Sequence, residues 1–162
     1  MNDESNDPSK TETAVRGRIV GIDYGTVRIG LAVADLEVGI AGAIENYTRR
    51  SPEADAQRFQ RLVDEERVIR FVIGLPVHLS GEESQKSYEA RQFGQWLHEM
   101  TSVPVEFFDE RFTSAEAERH LEQANLTKKK RKSRLDMLAA QIMLAAYLEA
   151  GAQGNDRPGG LE

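Results

Sequence analysis

The stretch Arg18–Asp35 reads RIVGIDYGTVRIGLAVAD and decides the fold of the chain. Two apolar runs, Ile19–Ile22 and Ile29–Ala34, flank the short connection Asp23–Thr26. The first run is rich in β-branched residues and the connection contains a glycine, which is the pattern of a β-hairpin. Asp23 would end the first strand, where a carboxylate costs free energy unless water, a hydrogen bond or a metal satisfies it.

The composition indicates a single domain with a real core, because the chain has 162 residues of which 40% are hydrophobic. The absence of cysteine excludes disulfides, thiolate metal sites and a cysteine nucleophile, and it fits a reducing cytosol. The polar N-terminus lacks the apolar segment of a signal peptide, and no run approaches the roughly 20 apolar residues of a membrane span. We therefore expect a cytoplasmic protein without a membrane partner.

The domain organisation follows from where apolar periodicity begins and ends. Residues 1–16 lack it and are predicted to be a disordered tail. Residues 17–150 form the predicted domain, and residues 151–162, rich in glycine and polar residues, are predicted to be a flexible tail.

Secondary-structure signals after the hairpin predict a third strand and then alternating helices and strands. Such an order implies an α/β fold with a mixed five-stranded sheet flanked by helices. The helix starts rest on a Ser-Pro N-terminus and on two capping boxes. The expected elements are strand Val38–Tyr47, a helix from Ser51-Pro52, strand Val68–Ile73 stopped by Gly74-Leu75-Pro76, a helix from Ser80 to about Met100, strand Val103–Phe108, a helix from Thr113 to about Gln123 and helix Leu135–Ala150.

Acidic residues at three places are candidates for a catalytic site, and each has an ordinary alternative. Asp23 is either a turn residue or an acid aimed from the sheet edge. Asp109 and Glu110 follow a strand, where ligands gather in such folds, or they lie in a solvated loop with Arg111 pairing one of them. Asp136 either favours the positive end of a helix that begins near it or contributes a third carboxylate.

A convergence of these acids would make a site with oxygen ligands only, which magnesium prefers. Two such ions can activate water and stabilise the leaving oxygen in phosphodiester hydrolysis. Gly25 is interpreted as leaving room for a metal or phosphate near Asp23. The histidines His78, His98 and His120 are too widely spaced to indicate zinc.

A basic run, KKKRKSR, covers Lys128–Arg134 immediately before Asp136. The run is either a solvated charged segment or a surface that holds a phosphate backbone beside a metal centre. The net charge of the whole chain is -6, so any nucleic-acid surface has to be local. The basic members of the run Lys128–Arg134 are Lys128, Lys129, Lys130, Arg131, Lys132 and Arg134.

Four motifs in this order resemble the bacterial YqgF family, also called RuvX. They are IVGIDYGTVRIGLAVAD, VIGLP, FFDERFTSAEA and KKKRKSRLDMLAAQIMLAAYL, and together they span about residues 17–150. The resemblance implies a ribonuclease-H-like nuclease domain that acts on structured RNA at the 5′ end of pre-16S rRNA, in ribosome biogenesis. Branched DNA is the other substrate that the family implies.

The resemblance also assigns roles to residues. Asp23, Glu110 and Asp136 would be catalytic and would bind Mg²⁺, with Mn²⁺ as a substitute and Asp109 as a second candidate ligand. Arg111 and the basic members of Lys128–Arg134 would bind substrate. Ribonuclease-H relatives often carry an acid at the end of the fourth strand, but this chain has Gly74-Leu75-Pro76 there, so the acid would come from the fifth strand.

Three other functions are weighed against the RNA nuclease. A Holliday junction resolvase would need paired cuts and favours a symmetric dimer, whereas we expect a monomer or weak homodimer. In a non-catalytic ribosome-assembly factor the clustered carboxylates would have no function, although their mutual repulsion is unfavourable. A sugar-kinase or actin-like ATPase fold would need a second phosphate-binding hairpin, and the chain has one.

Overall fold

A computed structural model describes residues 17–76, 80, 82–112 and 128–153. The side chains of residues 112, 128–134, 136, 152 and 153 lie outside that description. The elements are β1 (Arg18–Asp23), β2 (Arg28–Asp35), β3 (Ala41–Thr48), α1 (Pro52–Glu66), β4 (Val68–Leu75), α2 (Gln85–Thr101), β5 (Val105–Asp109), a 3₁₀ turn (Glu110–Phe112) and α3 (Lys128–Gln153).

The strands of the described residues form one sheet in the order β3-β2-β1-β4-β5. The leading hairpin pairs antiparallel, while β4 is parallel to both β1 and β5. Strands β1, β4 and β5 therefore end at the same edge of the sheet, which we call the carboxyl edge. The predicted α/β fold with a mixed five-stranded sheet is confirmed.

The β1–β2 hairpin shows why position 25 is a glycine. An added Cβ at Gly25 would collide with the carbonyl oxygen of Arg28, so the turn itself requires glycine. The turn backbone therefore accounts for glycine at position 25, and room for a metal or phosphate beside it stays a prediction. The predicted place of Gly25 in a short hairpin connection is confirmed.

Helix α1 begins where the sequence predicts. Ser51 is its N-cap and accepts a hydrogen bond of 3.1 Å from the Ala54 amide. Pro52 lies in the first turn, where the backbone N–H that proline lacks would have no intrahelical acceptor. Arg67 ends the helix in a left-handed conformation with φ of 51°, and its amide donates to the carbonyl of Val63. This short reversal leads directly into β4.

Helix α2 begins one turn later than predicted. Its N-cap is Ser84 rather than Ser80, and the Ser84 hydroxyl accepts from the Ser87 amide and donates to the carbonyl of Pro76. That second bond ties the helix start to the end of β4. Strand β4 itself runs to Leu75, two residues beyond the predicted end at Ile73, and it ends within the predicted stop Gly74-Leu75-Pro76.

Helix α3 begins at Lys128, seven residues before the predicted start at Leu135. The basic run therefore forms the first turns of the helix instead of preceding it. The helix also continues to Gln153, so the start of the predicted C-terminal tail is helical. Asp136 lies eight residues into the helix, beyond the first turn over which the helix dipole acts, so the dipole explanation for this acid is wrong.

The core is divided between the two faces of the sheet. On one face, α1 and α2 cover a cluster built around Phe59, Phe71 and Phe93. On the other face, α3 packs Ala140, Leu144 and other small or apolar residues against β1, β2 and β3. An added Cβ at Gly21 would stand 2.8 Å from Leu144 Cβ and 3.3 Å from the carbonyl oxygen of Ala140, so α3 lies close to β1.

Several predictions fall outside the described residues. They are the tail 1–16, most of the tail 151–162, the helix from Thr113 to about Gln123, His78 and His120. Among the helices that the structure describes, none combines the length and hydropathy needed to cross a bilayer.

Candidate metal centre

The carboxyl edge brings Asp23 level with the end of β4. Ile22 pairs with Ile73, so the next residues along each parallel strand, Asp23 and Gly74, are also level. Neighbouring strands are about 4.8 Å apart. Ile22 and Ile73 both belong to the core on the α1–α2 face, so alternation directs Asp23 and position 74 to the α3 face.

Glu110 reaches the same face from β5. Gly74 pairs with Phe108, and Glu110 follows two residues later in the 3₁₀ turn. An added Cβ at Gly74 would stand 3.0 Å from Cγ and 3.1 Å from Cδ of Glu110, and it would overlap Oε1. The Glu110 carboxyl therefore lies over the end of β4, next to the strand that carries Asp23.

The environment of Glu110 perturbs its acidity. Burial raises the pKa of the Glu110 carboxyl above its ordinary value; the Lys86 ammonium opposes that shift, and the Asp109 carboxylate adds to it. A carboxylate that is costly to ionise is stabilised by a nearby cation, so the position suits a metal ligand. Lys86 was missed by the sequence analysis, since a lysine in a surface helix carries no distinguishing pattern.

Asp109 has a different environment from Glu110. It is 8% exposed and accepts hydrogen bonds from the Arg111 amide at 2.9 Å and from Arg111 Nε at 2.7 Å. These bonds close the 3₁₀ turn and hold Arg111 against Asp109. The pairing of Arg111 with one of the acids, considered as the ordinary alternative, is therefore present for Asp109, whereas Glu110 faces Gly74.

Asp136 is carried toward the same edge by α3. Tyr147 and Leu148 lie beside Ile19, whereas Ala140 lies beside Gly21, so α3 runs antiparallel to β1. Position 136 is one turn before Ala140, about 6 Å along the helix axis, and Asp23 is about 6.6 Å beyond Gly21 along β1. The backbone positions of these two acids therefore advance together toward the carboxyl edge.

The metal-ligand geometry of the described side chains is incomplete. No group of three or more His, Asp or Glu side chains within the described part of the chain could hold a metal ion. The side chains of Asp136 and of the basic members of Lys128–Arg134 lie outside the described part of the chain. The described acids at the edge offer carboxylate oxygens only, which are suited to a hard divalent cation.

The sheet register adds Asn46, a polar residue that the sequence analysis missed. Asp23 pairs with Gly30, and Gly30 pairs with Asn46, so the three are level across β1, β2 and β3. Gly30 has no side chain, so none stands between Asp23 and Asn46 on the α3 face. Only the register could have identified Asn46, because nothing in the local sequence distinguishes it.

Comparison with known proteins identifies the family. Residues 17–150 match the model of the RuvX family, described as Holliday junction resolvase. A protein of Rhodopirellula baltica is 45% identical over 148 residues, covering 88% of this chain and 86% of its own length. A protein of Koribacter versatilis is 38% identical over 150 residues, covering 92% of this chain and 97% of its own length. Both carry the name "Putative pre-16S rRNA nuclease".

Solved structures agree on the fold. The RuvC of T. thermophilus, solved with a Holliday junction substrate, matches with a TM-score of 0.56 and 16% identity, covering 88% of this chain and 99% of RuvC. The yeast mitochondrial Holliday junction resolvase Ydc2 matches with a TM-score of 0.50 and 12% identity, covering 85% of this chain and 80% of Ydc2. The fold is thus ribonuclease-H-like, as the resemblance implied. The chain belongs to the RuvX family.

Proposed function

We propose that this protein is a divalent-cation-dependent nuclease that processes the 5′ end of pre-16S rRNA. The observation that carries the proposal is the Glu110 carboxyl over Gly74, on the face and at the level of Asp23. The names of the relatives at 45% and 38% identity supply the substrate. An rRNA precursor as substrate implies a cytoplasmic protein.

Asp23, Glu110 and Asp136 would hold the cation, with Mg²⁺ as the proposed ion and Mn²⁺ as a substitute. The ion would activate the attacking water and neutralise charge on the phosphodiester. Burial raises the pKa of the Glu110 carboxyl, so a neighbouring positive charge would favour its ionised form. Asp23 is fixed by its strand, which restricts its direction.

The remaining candidates divide between substrate binding and support. The basic members of Lys128–Arg134 would hold the phosphate backbone electrostatically, because they form the first turns of the helix that carries Asp136. Asp109 supports the site through Arg111, whose guanidinium it holds. Arg111 remains one-third exposed and would add positive charge at the rim of the site.

A second candidate function is the resolution of Holliday junctions, which the description of the family favours. The same chemistry would then act on branched DNA. Resolution needs two cuts related by symmetry, so it would require a dimer on the junction.

One experiment tests both candidates. A labelled pre-16S rRNA 5′ fragment and a four-way DNA junction are incubated side by side with the purified protein, with Mg²⁺ and with a chelator. We expect Mg²⁺-dependent cleavage of the RNA, and loss of it in Asp23→Asn and Asp136→Asn. Asp64→Asn is the matched control, because Asp64 is exposed near the end of α1, away from the carboxyl edge. Unchanged cleavage by both site variants would contradict the proposal, and cleavage of the junction alone would favour the resolvase.

A further inference from the structure

An aromatic cavity opens on the opposite face of the sheet from Glu110, immediately beside Asp23. Its volume is about 310 Å³, at the lower end of the range for small-molecule pockets. Tyr24, the residue after Asp23, forms one wall, and Trp96 of α2 forms another. The cavity thus begins one residue from the proposed metal ligand.

The floor and walls of the cavity are aromatic rings. Phe93 is 5% exposed and forms the floor, with its ring centroid 5.0 Å from that of Tyr24 and 5.5 Å from that of Trp96. Tyr24 and Trp96 pack on the core but remain only half-buried. The core therefore leaves part of two rings facing the cavity, and such surfaces stack on planar ligands.

A fixed cation lies at the mouth of the cavity. The guanidinium of Arg49 is 5.5 Å from the Tyr24 ring centroid and 5.6 Å from that of Phe93, and its Nη1 donates to the Tyr24 hydroxyl at 3.1 Å. Its Nε is held by the buried carboxylate of Asp55 at 3.3 Å. A planar guanidinium fixed in this way can stack on a base or contact a phosphate.

Polar groups at the rim distinguish the cavity from an apolar docking site. Glu89 lines it and offers a carboxylate that can accept from the amino group of a base. An aliphatic ligand would make no polar contact with Glu89 or Arg49. A nucleobase could stack on the aromatic rings and also contact the guanidinium of Arg49 and the carboxylate of Glu89.

We propose that this cavity, formed by Tyr24, Arg49, Phe93 and Trp96, binds one unstacked base of the nucleic-acid substrate beside the phosphate at the proposed cation site of Asp23. The proposal rests on the proposed nuclease function and deepens it, because it makes the substrate locally single-stranded. A base inside a duplex is already stacked and cannot enter. The strand would cross the carboxyl edge, with its base on one face of the sheet and its phosphate on the other.

The test uses Trp96, which is the only tryptophan in the chain. Its fluorescence is titrated, in the presence of a chelator, with a single-stranded adenine pentanucleotide, with the same length of abasic strand and with a hairpin duplex. We expect the base-containing strand to quench the emission and to bind at least about fivefold more tightly than the abasic strand, since base stacking on aromatic side chains contributes about 1–3 kcal/mol per base. Equal affinity for both strands, or absence of quenching, would overturn the proposal.

Variants give a second readout by anisotropy of a labelled pentanucleotide. Trp96→Leu and Tyr24→Leu should weaken binding at least about fivefold. The matched control is Tyr88→Leu, which removes a 55% exposed ring from the same helix α2 outside the cavity. Thermal melting of each variant shows that it is folded, and the abasic ligand tests the idea without any substitution. Binding unchanged in both cavity variants would contradict the proposal.

The outcome separates this inference from the proposed function. Base-dependent quenching without Mg²⁺-dependent cleavage would contradict only the nuclease, because the titration contains no metal. Cleavage that is unaffected by Trp96→Leu, together with equal binding of the abasic strand, would contradict only the base pocket.

Discussion

The side chain of Glu110 occupies the space over Gly74 that a Cβ would fill. Gly74 is in β4, between the strands that end in Asp23 and Asp109. The chain therefore has no acid at the end of β4 but places there an acid that arrives from the turn after β5. Glycine at position 74 is required for that arrangement.

The first prediction concerns Gly74→Ala. The new methyl group would overlap Glu110 and displace its carboxyl, so Mg²⁺-dependent cleavage of the pre-16S fragment should fall at least about tenfold, which corresponds to about 1.4 kcal/mol. Thermal melting should change little, because the displaced side chain is only half-buried.

Gly42→Ala is the matched control for that prediction. Gly42 also lies in a strand, β3, and an added Cβ there would have nothing within 4 Å. Cleavage should be unchanged. Equal activity of the Gly74 and Gly42 variants would show that Glu110 does not need the space over Gly74.

The second prediction concerns the pH dependence of cleavage. Burial raises the pKa of the Glu110 carboxyl, and Lys86 opposes the shift. Protons compete with the cation for this carboxylate, so cleavage should fall as the pH drops through the raised pKa. Lys86→Gln removes the opposing charge and raises the pKa further, so the acidic limb of the pH–rate profile should move to higher pH. If the acidic limb moved to lower pH or did not move, the Lys86 ammonium would not be lowering the pKa of the Glu110 carboxyl in the active protein.

The third prediction concerns stability at Asp55. Burial alone would raise the pKa of this carboxyl, but hydrogen bonds from the Arg50 amide at 3.0 Å, the Tyr47 hydroxyl at 2.7 Å and Arg49 lower it below the ordinary value. A lowered folded-state pKa stabilises the fold above the unfolded pKa near 3.9, and that contribution is lost as the pH falls through the folded-state value.

Urea denaturation measures that contribution. Asp55→Asn should lower the free energy of unfolding at pH 7 by about 1.5–3 kcal/mol, because it weakens hydrogen bonds to a charged acceptor. The drop in stability between pH 7 and pH 3 should be smaller in the variant than in the parent chain. An identical drop in both would show that Asp55 does not contribute to acid sensitivity.

The sequence predicted the parts of the fold that local patterns determine. The two apolar runs of Arg18–Asp35 and their short glycine-containing connection predicted the hairpin, and Ser51-Pro52 predicted the start of α1. Ser80 was wrong as the cap of α2, because Ser84 has the same local chemistry and in addition bonds to the carbonyl of Pro76. A contact across eight residues of chain cannot be inferred from a capping pattern.

The site was predictable only as a set of acids. Asp23 and Glu110 were predicted as site residues from motifs, but the space that admits Glu110 depends on the register of β4 with β5, which no local pattern encodes. The same limit applied to Lys86 and Asn46. The start of α3 was misplaced because KKKRKSR has no apolar periodicity, although lysine and arginine are good helix formers.

The most direct test compares Glu110→Gln with Asp109→Asn. The measurement is the initial rate of Mg²⁺-dependent cleavage of the pre-16S fragment, at a temperature where both variants are folded. Glu110→Gln should reduce the rate at least about 100-fold, since a metal ligand contributes several kcal/mol to the transition state. Asp109→Asn should lower the melting temperature, because it loosens the Arg111 turn, but retain most of the rate. The reverse order, with Asp109→Asn inactive and Glu110→Gln active, would contradict the account.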